Sequence, residues 1–139
     1  MKGLAACLLL CALPAWACDG ISASGAWIRE APPGADVMAG YVTLSNSTAK
    51  EQDICHARSD AYASVEFHQM SMDRGQMQMR ELDRLTLPAH GSLKLTPGGM
   101  HLMLMQPRTR LTAGQKVRVD FYCSQQDRLS VEFEVRSGS

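Results

Sequence analysis

Seven of the chain's nine methionines, Met70, Met72, Met77, Met79, Met100, Met103 and Met105, fall between His68 and Met105, and His68 and His101 belong to the same stretch. Methionine is an adaptable core filler, so a methionine cluster alone has an ordinary explanation. The histidines change the chemistry on offer. Thioether sulfur and imidazole nitrogen together form a neutral, soft-to-borderline donor set. That set favours Cu(I) and disfavours Mg²⁺ and Ca²⁺, which require oxygen, while zinc accepts histidine but rarely methionine. Thioethers also suit an oxidising compartment, where a thiolate site is lost to disulfide formation.

Strand alternation decides whether these donors can meet. In Val65-Glu66-Phe67-His68-Gln69-Met70, a period of two puts Val65 and Phe67 on one face and Glu66, His68 and Met70 on the other. In Met100–Met105, Leu102 and Leu104 share the inward face, while His101, Met103 and Met105 share the opposite one. Asp73-Arg74-Gly75 reads as a hairpin turn. His68 and Met79 lie about equally far from it, so antiparallel pairing is expected to bring them nearly opposite, the register depending on whether Gly75 forms a bulge. The expected ligands are His68, Met79, His101 and Met103, with Met70 and Met105 as substitutes or as a thioether rim. The site is expected near one edge, open to solvent.

The elements that must carry these residues are short strands broken by Gly, Pro, Asn and Asp. They are Ile21–Arg29, Met38–Ser45, Gln52–Arg58, Ser64–Ser71, Gln76–Leu82, Ser92–Leu95, Met100–Met105, Gln115–Cys123 and Leu129–Val135. Val117, Val119, Phe121 and Cys123 alternate with polar neighbours, as do Val131, Phe133 and Val135. With regular turn signals and no long amphipathic helix, this predicts an all-β antiparallel sandwich or barrel. No repeat, linker or low-complexity tract divides it, so residues 18–139 read as one domain.

At 139 residues the chain can bury a real core, and its 14 basic and 14 acidic side chains cancel. Nucleic-acid binding through bulk charge is excluded. Lys2, the apolar run Leu4 to Leu13 and Ala15-Trp16-Ala17 form a secretory signal over residues 1–17, too short to span a bilayer. The expected location is the periplasm, with lipid attachment at Cys18 the lesser alternative. Cleavage leaves Cys18, Cys55 and Cys123, hence three possible single bridges. Cys55–Cys123 is favoured because both fall in or beside strand segments. No His or Met follows Cys123, which excludes a type 1 blue-copper centre. No nucleophile elbow is present, and an enzyme is not expected. His56 and His90 have no partner at ligand spacing and read as surface residues. Trp27 reads as a core or rim aromatic.

The ligand spacing is itself informative: His68, ten residues, Met79, twenty-one residues, His101, one residue, Met103. Around it stand Ala26-Trp27-Ile28-Arg29, Ala31-Pro32-Pro33-Gly34, Leu87-Pro88, Leu95-Thr96-Pro97-Gly98-Gly99 and His101-Leu102-Met103-Leu104-Met105. Over roughly Ala23 to Val135 this resembles the periplasmic copper chaperone family PCuAC, with its signature H-x10-M-x21-H-x-M. The resemblance implies a cupredoxin-like fold, Cu(I) as the bound ion, and a copper-acceptor partner. That acceptor would be the copper-A domain of cytochrome c oxidase, alone or with a Sco-type thiol protein. The chain departs from the family in its mature cysteines and in lacking the His/Met-rich tail of some relatives, so a second, Cu(II) site is not expected. Two other readings stand beside this one: copper storage or detoxification, and an immunoglobulin-like docking module that binds no metal.

Overall fold

The computed structural model describes residues 18–138; the signal segment expected at 1–17 lies outside them. Eleven strands run β1 (Ile21–Arg29), β2 (Val37–Asn46), β3 (Gln52–Ile54), β4 (His56–Arg58), β5 (Tyr62–Asp73), β6 (Gln76–Leu82), β7 (Leu85–Leu87), β8 (Ser92–Leu95), β9 (Met100–Pro107), β10 (Lys116–Tyr122) and β11 (Arg128–Arg136). Seven of them close a barrel in the order β1-β11-β10-β4-β5-β9-β2, with β2 pairing back onto β1. Closure leaves those seven without free edges. β8 joins the far half of β2, and β6 lies outside β5. The barrel is all-β, as expected, but mixed: β1 runs parallel to β11, with Trp27 opposite Glu134 and Ile28 opposite Val135. No helix among the described residues is long and apolar enough to cross a membrane.

The alternation read from the sequence sets the core. Val117, Val119 and Phe121 on β10 point inward with Val131, Phe133 and Val135 on β11, and all six are buried. Leu102 and Leu104 are completely buried, Phe67 nearly so, and these three set which way β5 and β9 face. Burial of one such side chain contributes about 1.5–3 kcal/mol, so a slip of one residue, which would turn every inward side chain out, is strongly disfavoured.

Three local expectations are corrected. The single strand Gln52–Arg58 divides at Cys55. β3 leaves to pair with β7, and β4 stays in the barrel between β10 and β5. β7 itself was not expected; only three residues long, it is held by the buried Leu85 and Leu87. The disulfide is Cys18–Cys123, not Cys55–Cys123. Cys55 sits exposed at the β3/β4 break, whereas Cys18 is buried against the core with its Cα 6.0 Å from that of Cys123. A sulfur committed to this bridge cannot also carry a lipid thioether.

Candidate metal centre

β5 lies between β9 and β6, and the ladders on its two sides place the candidate ligands. On the β9 side His68 is directly opposite His101, Glu66 opposite Met103, and Ser64 opposite Met105. Partners in a ladder share a face. With Phe67, Leu102 and Leu104 turned inward, the outer face of this pair therefore carries Glu66, His68, Met70, His101, Met103 and Met105, the face read from the sequence. The two imidazole centroids are 6.0 Å apart with their planes tilted by 34°. Met103 is on the diagonal from His68, two residues along β9 from His101.

On the β6 side the register differs from expectation. Arg74 (φ 49°) and Gly75 (φ 77°) form a two-residue loop with both φ positive, and the ladder continues from it without a bulge, Asp73 opposite Gln76. Met79 therefore faces Met70, and His68 faces Glu81. Met79 is diagonal to His68, on the side away from Met103, and 49% exposed. So the fold brings His68, His101 and Met103 together directly and leaves Met79 on a neighbouring ribbon. That ribbon has its own ladder, with no third strand paired along its outer part. The β5–β9 ladder ends at Gln69 opposite Met100, so beyond it β5 and β6 continue as a two-stranded hairpin. Isolated two-stranded ribbons twist strongly and are marginally stable. Met72 and Met77, opposite each other near its tip, are also exposed.

Each histidine has one ring nitrogen occupied by the protein. His101 is buried, and its Nδ1 lies 3.1 Å from the carbonyl oxygen of Gly99. That oxygen also accepts the Met70 N–H at 3.2 Å, which ties the Pro97-Gly98-Gly99 turn to β5 and to the imidazole. The His68 Nε2 lies 2.8 Å from Glu66 Oε2, and its Nδ1 is buried with no hydrogen-bond partner among the described residues. Glu81 completes a group in which one donor atom each from Glu66, His68 and Glu81 lie within 4.8 Å of one another. Strand alternation puts Glu66 on this face but assigns it no task, and Glu81 carries no signal in the sequence. The available signal was Glu66 two residues before His68, a spacing that makes same-face neighbours on a strand. His56 is exposed and stacks on Tyr122 with centroids 4.4 Å apart, a surface residue as expected.

The family model described as "Putative lipoprotein LpqE-like" matches residues 21–135. Among curated sequences, the chain is 33% identical over 102 residues to "Putative lipoprotein Lxx21020" of Leifsonia xyli subsp. xyli (strain CTCB07), covering 73% of this chain and 60% of that protein. It is 29% identical over 83 residues to "Uncharacterized protein RP573" of Rickettsia prowazekii (strain Madrid E), covering 59% of this chain and 46% of the relative. The chain thus spans about half to three fifths of the length of these relatives. Among solved structures, the copper-bound PCuAC domain from PmoF2 superposes with a TM-score of 0.73 at 18% identity, over 86% of this chain and 94% of that domain. The Cu(I) form of DR1885 from Deinococcus radiodurans superposes with a TM-score of 0.65 at 26% identity, over 93% of this chain and 83% of that one. The barrel is thus the cupredoxin-like fold of PCuAC domains.

Proposed function

Because the chain belongs to the LpqE-like family, which is the PCuAC-type family, we propose that it is an exported copper carrier that binds one Cu(I) and passes it to a copper-acceptor protein. The observation that carries this reading is the direct cross-strand pairing of His68 with His101, with Met103 on the adjoining diagonal. Two imidazoles and a thioether on one sheet face match the donor preferences of Cu(I) and leave a hard cation poorly served. Met79 is the fourth ligand, brought in by closure of the β5–β6 ribbon over the pair. The copper-bound and Cu(I)-bound relatives support the choice of ion.

Three of the four ligands sit in the barrel wall and one is exposed, which suits a carrier. His101 is anchored in the barrel wall, while Met79 stands in solvent on a strand paired on one side only. A partner can displace Met79 first and hold the ion before the histidines let go. The acceptor in this reading is the copper-A domain of cytochrome c oxidase, alone or with a Sco-type thiol protein, and the compartment is the periplasm. The test is transfer: the Cu(I)-loaded chain is mixed with a purified apo copper-A domain and the copper in each is measured after separation. Delivery predicts that copper leaves the chain in proportion to added acceptor. A chain that retains its copper while a free Cu(I) chelator of matched affinity removes it would instead mark a storage protein.

A further inference from the structure

We propose that Glu66 is a positioning residue that fixes the tautomer of His68, so that the two histidines present opposite ring nitrogens to the metal: Nδ1 from His68 and Nε2 from His101. The metal half of this statement rests on the Cu(I) reading above; the tautomer half does not. A carboxylate can only accept, so the Glu66 Oε2 at 2.8 Å places the hydrogen of His68 on Nε2. A backbone carbonyl can only accept, so Gly99 O at 3.1 Å places the hydrogen of His101 on Nδ1. The lone pairs left for a metal are therefore His68 Nδ1 and His101 Nε2.

The surroundings of His68 agree with this assignment. Its Nδ1 is buried without a partner among the described residues. An unmet buried polar atom costs about 1–3 kcal/mol, and a metal ion removes the cost if that atom is the ligand. Were Nε2 the ligand, Cu(I) would first have to break the Glu66 contact and would still leave Nδ1 unmet. The same arrangement, a carboxylate behind a metal-bound imidazole, orients the ring and raises its basicity. The donor atom of Glu81 is also within 4.8 Å, yet Glu81 is exposed and makes no hydrogen bond to the ring. Glu66 is the one in contact.

The two anchors differ in kind. Gly99 holds His101 through backbone, which no side-chain substitution removes. His68 depends on a single side chain. Outer-sphere partners of this kind are worth ~10–100-fold in metal affinity. Glu66→Ala should therefore weaken Cu(I) binding by at least about tenfold while the contact of His101 with Gly99 persists. The side chain of Glu66 is a third exposed, so its removal leaves the barrel core untouched.

The experiment is long-range ¹H–¹⁵N correlation NMR on the chain labelled at histidine, first without metal at a pH where the imidazoles are neutral, then with Cu(I) added anaerobically. The apo spectrum should place the proton of His68 on Nε2 and that of His101 on Nδ1. Cu(I), being diamagnetic, should then shift His68 Nδ1 and His101 Nε2. In Glu66→Ala the His68 assignment should lose its single tautomer and that of His101 should keep it. An apo His68 protonated on Nδ1, or a Cu(I) shift at His68 Nε2, overturns the proposal and leaves the ligand set standing. Should no histidine nitrogen move with Cu(I), the ligand set fails as well, and the apo spectrum still decides the tautomers.

Discussion

The side chains of the candidate centre divide by what holds them. His101 is buried and anchored through Gly99, His68 is half-buried and braced by Glu66, and Met79 is in solvent. Substitutions should follow that order. His101→Ala removes a donor already in place, so the loss of Cu(I) affinity should exceed the ~10–100-fold expected for an outer-sphere partner. Met103→Ala should come close to it, since Met103 shares the face and the ladder. Met79→Ala should cost less, because part of its binding energy is spent ordering the ribbon that bears it. Competition against a Cu(I) chelator ranks the three. An equal loss for Met79 and His101 would mean that the ribbon is already closed before metal arrives. Tyr62 lies away from the centre; burial pushes its phenol well above the usual range, and its hydroxyl donates to Met38 Sδ at 3.3 Å.

Among the elements, the β5–β6 hairpin is the piece whose stability is open to tuning. Gly75 sits at φ 77°, with nothing within 4 Å of where a Cβ would be, so a larger residue there meets backbone strain and no clash. The left-handed region costs an L-residue roughly 1–2 kcal/mol. Gly75→Ala should therefore fray the ribbon without touching the barrel. Amide hydrogen exchange should quicken across Gln76–Leu82 and stay unchanged in β9 and β10, and Cu(I) affinity should fall toward that of Met79→Ala. In the unaltered chain, Cu(I) should slow exchange in the same segment. A ribbon equally protected with and without copper would argue against Met79 as a ligand.

For the whole molecule, the Cys18–Cys123 bridge closes a loop with a sequence separation of 105 residues and ties the segment ahead of β1 to the end of β10. Disulfides typically contribute about 2–4 kcal/mol, and removing a native one from a small exported domain costs about 2–5 kcal/mol. Cys18→Ser should lower stability by that much in urea unfolding. Copper affinity should remain unchanged in the folded population, because β5 and β9 hold the centre through their own ladder. A second brace is Asn46, buried at the end of β2, whose Nδ2 donates to the carbonyls of Lys50, Leu87 and Pro88. It secures the β7–β8 connection to the barrel without reaching the metal site.

What the sequence alone determined is whatever depends on period and donor chemistry. Alternation over Val65–Met70 and Met100–Met105 is a local property of a strand, so it told which residues share a face before any partner strand was known. Hydrophobic burial then enforced it through Phe67, Leu102 and Leu104. The soft, neutral character of the histidines and methionines likewise needs no coordinates. Relations between segments were decided only by the tertiary structure. A loop of two residues instead of three shifts every pair in a hairpin, which put Met79 across from Met70 and Glu81 across from His68. The break at Cys55 is set by which sheet has a vacancy, and the bridge partner of Cys123 by which chain end reaches it; neither is written in local pattern. Glu66 shows the difference most plainly. Its face was legible, but its contact with His68 Nε2, and the lone nitrogen that contact leaves behind, exist only once rotamers and neighbours are fixed together.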